Sequence, residues 1–277
     1  MLLDSTATPT KNCEPLSNAF TSTYQVFIAD VCHNVTFAWV KSWTTHSLTM
    51  TVQSTRNEDE YECEILLQSY LFKCNKGRKT FQVGCQDVSL FWDLRSAKHS
   101  NGPQPCSSYY IALASNGEIL LLLGDLNHKA VNDTRSIPSS NEALLICTAQ
   151  NVHGKSEFSA KMRLAEEHSI SIKSSLLEPA QPQMWISIDG APIIRVLNLN
   201  WRFRGNQTVS LNNMKLNIMW DVYDWLFNAH GLGQGLFIFK PSSGVDPPNP
   251  HWVDRTLTEN RHSALDSCHF LYAWKTD

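Results

Sequence analysis

The chain has 277 residues, 42% of them hydrophobic and 18% charged, with a formal net charge of -3 at pH 7. That length allows one large or two ordinary domains and suffices to bury a substantial core. The apolar fraction excludes a wholly disordered chain, the small net charge gives no support to a generic polyanion binder, and twelve Gly and twelve Pro exclude collagen-like and proline-rich classes.

The opening Met1-Leu2-Leu3-Asp4-Ser5-Thr6 lacks the basic and apolar regions of a secretory leader, and the longest aliphatic run, residues 119–123, is too short to span a membrane. Cytosol or nucleus is therefore the expected compartment. There the cysteines at 13, 32, 63, 74, 85, 106, 147 and 268, with no Cys-x-x-Cys pair among them, read as free thiols filling apolar space. Cys32-His33 and Cys268-His269 could supply zinc ligands, but their spacing carries no ligand signature, and packing is the preferred reading.

Residues 1–22, rich in Ser, Thr and Asn, are expected to be disordered. Strand-like alternation then begins. Tyr24, Val26 and Ile28 share one face; so do Val35, Phe37 and Trp39, then Leu48, Met50 and Val52. The period of two returns at Val88, Leu90, Trp92; at Tyr109, Ile111, Leu113; at Phe158, Ala160, Met162, Leu164; at Leu216, Ile218, Trp220; and at Phe270, Tyr272, Trp274. Residues 118–125 carry an unbroken apolar run, as a strand covered on both faces would, and are expected near the centre. Only residues 124–131 and 221–228 look able to form short helices. Residues 242–267, with Asp246-Pro247-Pro248-Asn249-Pro250 at their heart, read as a loose loop.

Strands at short intervals, without crossover helices, predict an all-β, antiparallel sandwich or barrel-like, calycin-like structure. An internal repeat refines this. At a constant offset of 128, Gly77 matches Gly205, Thr80 matches Thr208, Trp92 matches Trp220 and Asp93 matches Asp221. Residues 23–150 and 151–277 are thus expected to be two copies of one antiparallel β unit, packed as a single globular body about a pseudo-twofold axis so that each covers the other's sheet edges.

Trp92-Asp93-Leu94-Arg95-Ser96-Ala97-Lys98, Gly102-Pro103-Gln104-Pro105, Tyr109-Tyr110-Ile111-Ala112, Leu121-Leu122-Leu123-Gly124-Asp125-Leu126, Trp201-Arg202-Phe203-Arg204-Gly205-Asn206, Trp220-Asp221-Val222-Tyr223-Asp224-Trp225-Leu226-Phe227 and Phe270-Leu271-Tyr272-Ala273-Trp274-Lys275 together resemble the plant family catalogued as domain of unknown function 868. The resemblance runs from Tyr24 to the C-terminus. It implies a plant protein and brings no reaction, ligand or catalytic residue with it. Tyr223, Gln104 and Val40 depart from the His, Glu and Cys common in that family, which counts against schemes needing a base, an acid or a thiol there.

Two constellations carry functional expectations. Trp92, Asp93, Trp201, Trp220, Asp221 and Trp225 could line an apolar cavity with carboxylates at its mouth; the competing reading makes the indoles core and each Asp the cap of the segment after its strand. Lys73, Lys76, Arg78 and Lys79, echoed by Arg202 and Arg204, could meet phosphate groups, or could be solvated turn residues. No nucleophile elbow, P-loop, zinc-protease helix or dinucleotide fingerprint is present, and no two of the ten His stand four apart. No catalytic residue, cofactor, metal or nucleic-acid partner is expected. The sequence points to a non-enzymatic binding protein for a small apolar or amphipathic, lipid-like ligand, with a protein-interaction scaffold as the alternative and an unrecognised hydrolase as a third.

Overall fold

The computed structural model describes residues 18–42, 46–55, 60–67, 75–100, 102–164, 166–176, 181–212, 214–228, 233–242 and 267–276. A first meander, β1 (Asn18–Ile28), β2 (Val31–Lys41), β3 (His46–Ser54) and β4 (Glu60–Leu66), is followed by β5 (Lys76–Val83) and β6 (Gln86–Asp93). The small ribbon β7 (Lys98–His99) and β8 (Pro105–Ser107) precedes β9 (Tyr110–Ser115), β10 (Glu118–Gly124), helix α1 (Asn127–Thr134) and β11 (Ile137–Pro138). The long β12 (Leu144–Gly154) leads to a second meander, β13 (Glu157–Arg163), β14 (Glu167–Ser175), β15 (Gln183–Ile188) and β16 (Ala191–Val196). Then come β17 (Arg204–Leu211), β18 (Met214–Asp221), helix α2 (Tyr223–Phe227), β19 (Gln234–Ser242) and β20 (Cys268–Lys275).

These strands form one nine-stranded sheet in the order β17-β18-β19-β20-β12-β1-β2-β3-β4, flanked by a five-stranded sheet β11-β10-β9-β6-β5 and a four-stranded sheet β13-β14-β15-β16. The β1–β4 half of the large sheet packs on the five-stranded sheet around Val35, Phe37, Trp39, Leu90, Ile111 and Leu113. Its β17–β20 half packs on the four-stranded sheet around Phe158, Ile172, Ile186, Trp220, Trp225 and Phe237. The architecture is a sandwich with two cores on one face of a shared sheet, and no sheet closes on itself among the described residues. The barrel alternative is thereby set aside: the alternation of inward and outward residues is the same in both architectures, so only edge pairing could separate them.

Local chemistry explains the tight connections. Asn116-Gly117 and Asp189-Gly190 both carry positive φ at each residue, as the two-residue turns of β9–β10 and β15–β16 require. The register is otherwise antiparallel, with two exceptions, β10 on β11 and β12 on β20.

Several expectations change. Residues 18–22 belong to β1, because in a sheet with one wet face polar residues at alternate positions are what a strand wants. The boundary at 150 falls inside β12, which bridges the halves by pairing antiparallel to β1 and parallel to β20; the edges are joined through this strand. Ser242 ends β19, while residues 243–266 lie outside the described residues. The strand β10 is covered on both faces, by α1 through Ile119 and by the core through Leu121, but stands next to the sheet edge. The first helix starts three residues later than its composition suggested, and the second spans five residues. No helix among the described residues is long and apolar enough to cross a membrane, which says nothing of strands.

Candidate functional site: the polar end of the first sandwich

The inward face of β2 carries Val35, Phe37 and Trp39, each with no exposed surface. An indole buried this deeply normally finds an acceptor for its N–H. Trp220 Nε1 donates to the Arg202 carbonyl at 3.1 Å, and Trp225 Nε1 to the Ala273 carbonyl at 3.0 Å. Among the described residues Trp39 Nε1 has no partner. Its ring meets Tyr109 edge-on at 6.2 Å and His46 at 6.4 Å.

Around it the end of the sandwich carries polar groups, most of them uncharged, with Lys41, Asp125 and Arg163 close enough to act on them. His46, at the start of β3, holds the Pro103 carbonyl through Nε2 at 2.8 Å, and its ring packs edge-on against His99 at 5.0 Å. Burial first, then nearby Lys41, lowers the pKa of His46 against the opposing pull of the Pro103 hydrogen bond; burial, His46 and Lys41 lower that of His99. Gln104 Nε2 donates to Tyr109 Oη at 3.4 Å, and the Tyr109 N–H donates to Asp125 Oδ1 at 3.1 Å. Burial raises the pKa of Tyr109 and of Tyr24, which lies edge-on to Phe37. Two phenols and the partly buried His46 ring thus line the apolar interior that holds the indole N–H, with the exposed His99 ring packed against His46 at its rim. The uncharged members of this set, the indole N–H and the phenols, offer hydrogen bonds that suit the polar group of a neutral amphipathic molecule.

The residues singled out from sequence sit elsewhere. Trp92 and Trp220 lie in different cores, each packed over a cross-strand glycine, Gly77 and Gly205, where a Cβ would run into the indole. Asp93 Oδ1 accepts the Arg95 N–H and Asp221 Oδ1 the Tyr223 N–H, so both carboxylates cap the segment after their strand. Trp225 stacks on Phe158 at 4.9 Å, and Trp201 projects into solvent, 84% exposed. Lys76 pairs with Asp133, Arg78 reaches Ser89 and lies over Phe91, and Lys79 lies over Tyr61, all on edge strand β5. Arg202 and Arg204 flank the far edge of the nine-stranded sheet, and Lys73 is outside the described residues. Neither constellation is brought into one cluster. No group of three His, Cys, Asp or Glu able to hold a metal occurs among the described residues.

Asp93 performs a structural task. Only 2% of its side chain is exposed, and it receives Arg95 at 2.8 Å and Lys129 of α1 at 2.7 Å. Arg95 first, then Lys129, holds its carboxyl well below the usual range, against the opposing effect of burial. With Tyr110 donating to Asp133 at 2.6 Å and Lys76 reaching the same carboxylate, the network fastens α1 to the outer face of the five-stranded sheet. Asp93→Ala is expected to cost about 2 kcal/mol, below the range for a fully buried pair because both cations remain hydrated. A group with a depressed pKa stabilises above its unfolded value and loses that contribution as pH falls. The difference between native and variant in urea unfolding should therefore shrink below about pH 4.

Of the residues at the polar end, Trp39, Tyr24 and Tyr109 stood out in the sequence as strand residues and Gln104 as a departure from the family pattern, none of them as a site residue. The histidines are 53 positions apart, and nothing in their spacing brings them together. The family model described as "Plant protein of unknown function (DUF868)" matches residues 16–275. No curated protein matches the chain. The crystal structure of kievitone hydratase from Nectria haematococca is similar at 10% identity and a TM-score of 0.27, over 81% of this chain and 83% of that one.

Proposed function

The chain belongs to the DUF868 family of plant proteins of unknown function, and from that premise we propose that it is a non-enzymatic, intracellular binding protein for a small amphipathic ligand. The apolar body of the ligand lies in the first sandwich, and its carbonyl or hydroxyl oxygen accepts from Trp39 Nε1. The observation that carries this reading is the buried indole N–H, without a partner among the described residues, beside the phenol of Tyr109 and the imidazole of His46. A donor left unpaired in a low-dielectric interior costs free energy that a bound acceptor recovers. The separation of Asp93 and Asp221 into two sandwiches, the first paired with Arg95 and Lys129 and the second with Arg204, supports a binding role over acid–base chemistry.

We read the architecture behind it as an internal duplication, 23–150 and 151–277. Two meanders followed by strand pairs, the Gly–Trp pairs offset by 128 and the two Asp caps support that reading. The copies have diverged: Trp225, stacked on Phe158 and tilted against Phe237, fills the second interior, while the first keeps polar groups at its end.

The test uses 6-propionyl-2-dimethylaminonaphthalene, a neutral amphipathic probe that carries a carbonyl acceptor, followed by fluorescence. Native protein should bind it, and Trp39→Phe, which keeps the flat apolar ring and removes the donor, should weaken binding about tenfold with little change in Tm. Absence of saturable binding by the native chain, or equal binding by Trp39→Phe, would refute the proposal. Native mass spectrometry of the protein from plant tissue should show a co-purified small molecule.

A second reading, a protein-interaction scaffold, draws on one observation. Tyr223 and Phe227 are about half exposed beside Phe203, with Arg204 over the rings of Phe203 and Tyr223 and Trp201 projecting nearby in sequence. Exposed aromatics with arginine are the residue types of interface anchors.

A further inference from the structure

The nine-stranded sheet buries one face against both cores; its other face should be polar, as in any antiparallel sheet with one wet side. Half of it is mostly polar. Outward residues of β1–β4 include Thr21, Thr23, Gln25, Asn34, Thr36, Thr49, Thr51, Gln53, Glu60, Glu62 and Glu64, and its two exposed large hydrophobics, Phe27 and Leu66, stand at the ends of β1 and β4. The other half is apolar along its middle. Met219 on β18, Leu236 and Ile238 on β19, and Phe270 and Tyr272 on β20 are all outward and partly exposed, and none belongs to a core cluster among the described residues.

We propose that this face is the interface of a homodimer in which two copies of the nine-stranded sheet stack face to face about a twofold axis parallel to β12. The strand order is what singles out that axis. The strand β12 is the middle of nine, so rotation about it lays β20 over β1 of the second copy, β19 over β2, β18 over β3 and β17 over β4. One continuous row across the sheet reads Glu64, Thr49, Ala38, Thr21, Ala149, Phe270, Ile238, Met219, Asn206. Folded onto itself at Ala149, it sets Phe270 against Thr21, Ile238 against Ala38 and Met219 against Thr49. In these three pairs a large side chain meets a smaller one, as interdigitating sheets about 10 Å apart require.

Charge chooses the same axis. The acidic ladder Glu60, Glu62, Glu64 stands outward on edge strand β4, whereas the exposed cations Lys215 and Lys240 stand outward on β18 and β19 near the opposite edge. Rotation about β12 brings the two kinds of charge to the same side. An in-plane axis across the strands would lay the acidic ladder on its own copy, which like charges disfavour. Glutamates on an edge strand also guard against strand addition, but that role leaves the apolar half of the face unexplained. Nine strands at about 4.8 Å spacing and about five outward-spanning residues give roughly 700 Å² per copy, close to the roughly 800 Å² of a standard interface.

Sedimentation velocity on the full chain tests this. The native protein is expected to sediment as a dimer at micromolar concentration, and Ile238→Glu as a monomer with an unchanged far-ultraviolet spectrum, since that side chain is outside both cores. Glu60→Lys with Glu62→Lys should weaken the dimer about tenfold, and adding Lys215→Glu with Lys240→Glu should restore it. A native chain monomeric at all concentrations, or a fourfold variant no better associated than the double one, would overturn the proposal. Both outcomes are independent of the ligand site, which lies on the other face of the sheet.

Discussion

Alanine at Gly77 or at Gly205 is expected to lower stability by about 3 kcal/mol in each case, the upper part of the range for overpacking a filled core. The reason lies in a cross-strand pair. Gly77 faces Trp92 and Gly205 faces Trp220, and in both pairs the six-membered part of the indole lies over the glycine where a Cβ would stand. Trp92 and Trp220 cannot retreat, because each is packed among residues of its own core. Urea unfolding followed by tryptophan fluorescence should show similar losses for the two variants and an additive loss in the double one, since the sites share no partner. Equal midpoints for native protein and Gly205→Ala would show that the indole is free to move and would remove this account of the repeat.

Acid is expected to weaken the protein through His269 well before the carboxylates titrate. This imidazole is 2% exposed; its Nδ1 lies 2.8 Å from Thr148 Oγ1, and its Nε2 has no partner among the described residues. Burial pushes its pKa down to about 4 from 6.5. Above pH 6.5 both folded and unfolded chains hold the ring neutral, so its environment costs nothing. Below that the unfolded chain takes up a proton that the folded chain refuses, and stability falls by about 1.4 kcal/mol per pH unit, to a limit of about 3 kcal/mol near pH 4. His269→Gln should flatten the stability curve between pH 6.5 and 4 by that amount. Parallel curves for native and variant protein in that window would show that the ring is hydrated.

The strands were largely legible because burial on one face imposes a period of two. Val35-Thr36-Phe37-Ala38-Trp39 states its inward and outward sides in the residues themselves, and β2 buries the alternate set. The Gly–Trp offset was equally legible, since a ring that needs a missing Cβ leaves a pair of residue types at fixed spacing. The site was not. Trp39 reads as an ordinary core indole, and whether its N–H has an acceptor depends on atoms that other strands bring. His46 and His99 meet only because the β7–β8 ribbon folds back over the end of the sandwich, a contact without local signature.

The sheet partition shows the division most clearly. Alternation and turn chemistry are local, depending on neighbours two to four residues away, and they determined that this chain is all-β, where most of its strands lie and which side chains face inward. Pairing between sheet edges is non-local and is worth about the same for any two strands with free backbone groups. Only the tertiary structure could decide that β12 joins β1 to β20, that two cores share one sheet instead of closing into barrels, and that one indole N–H is left inside without an acceptor.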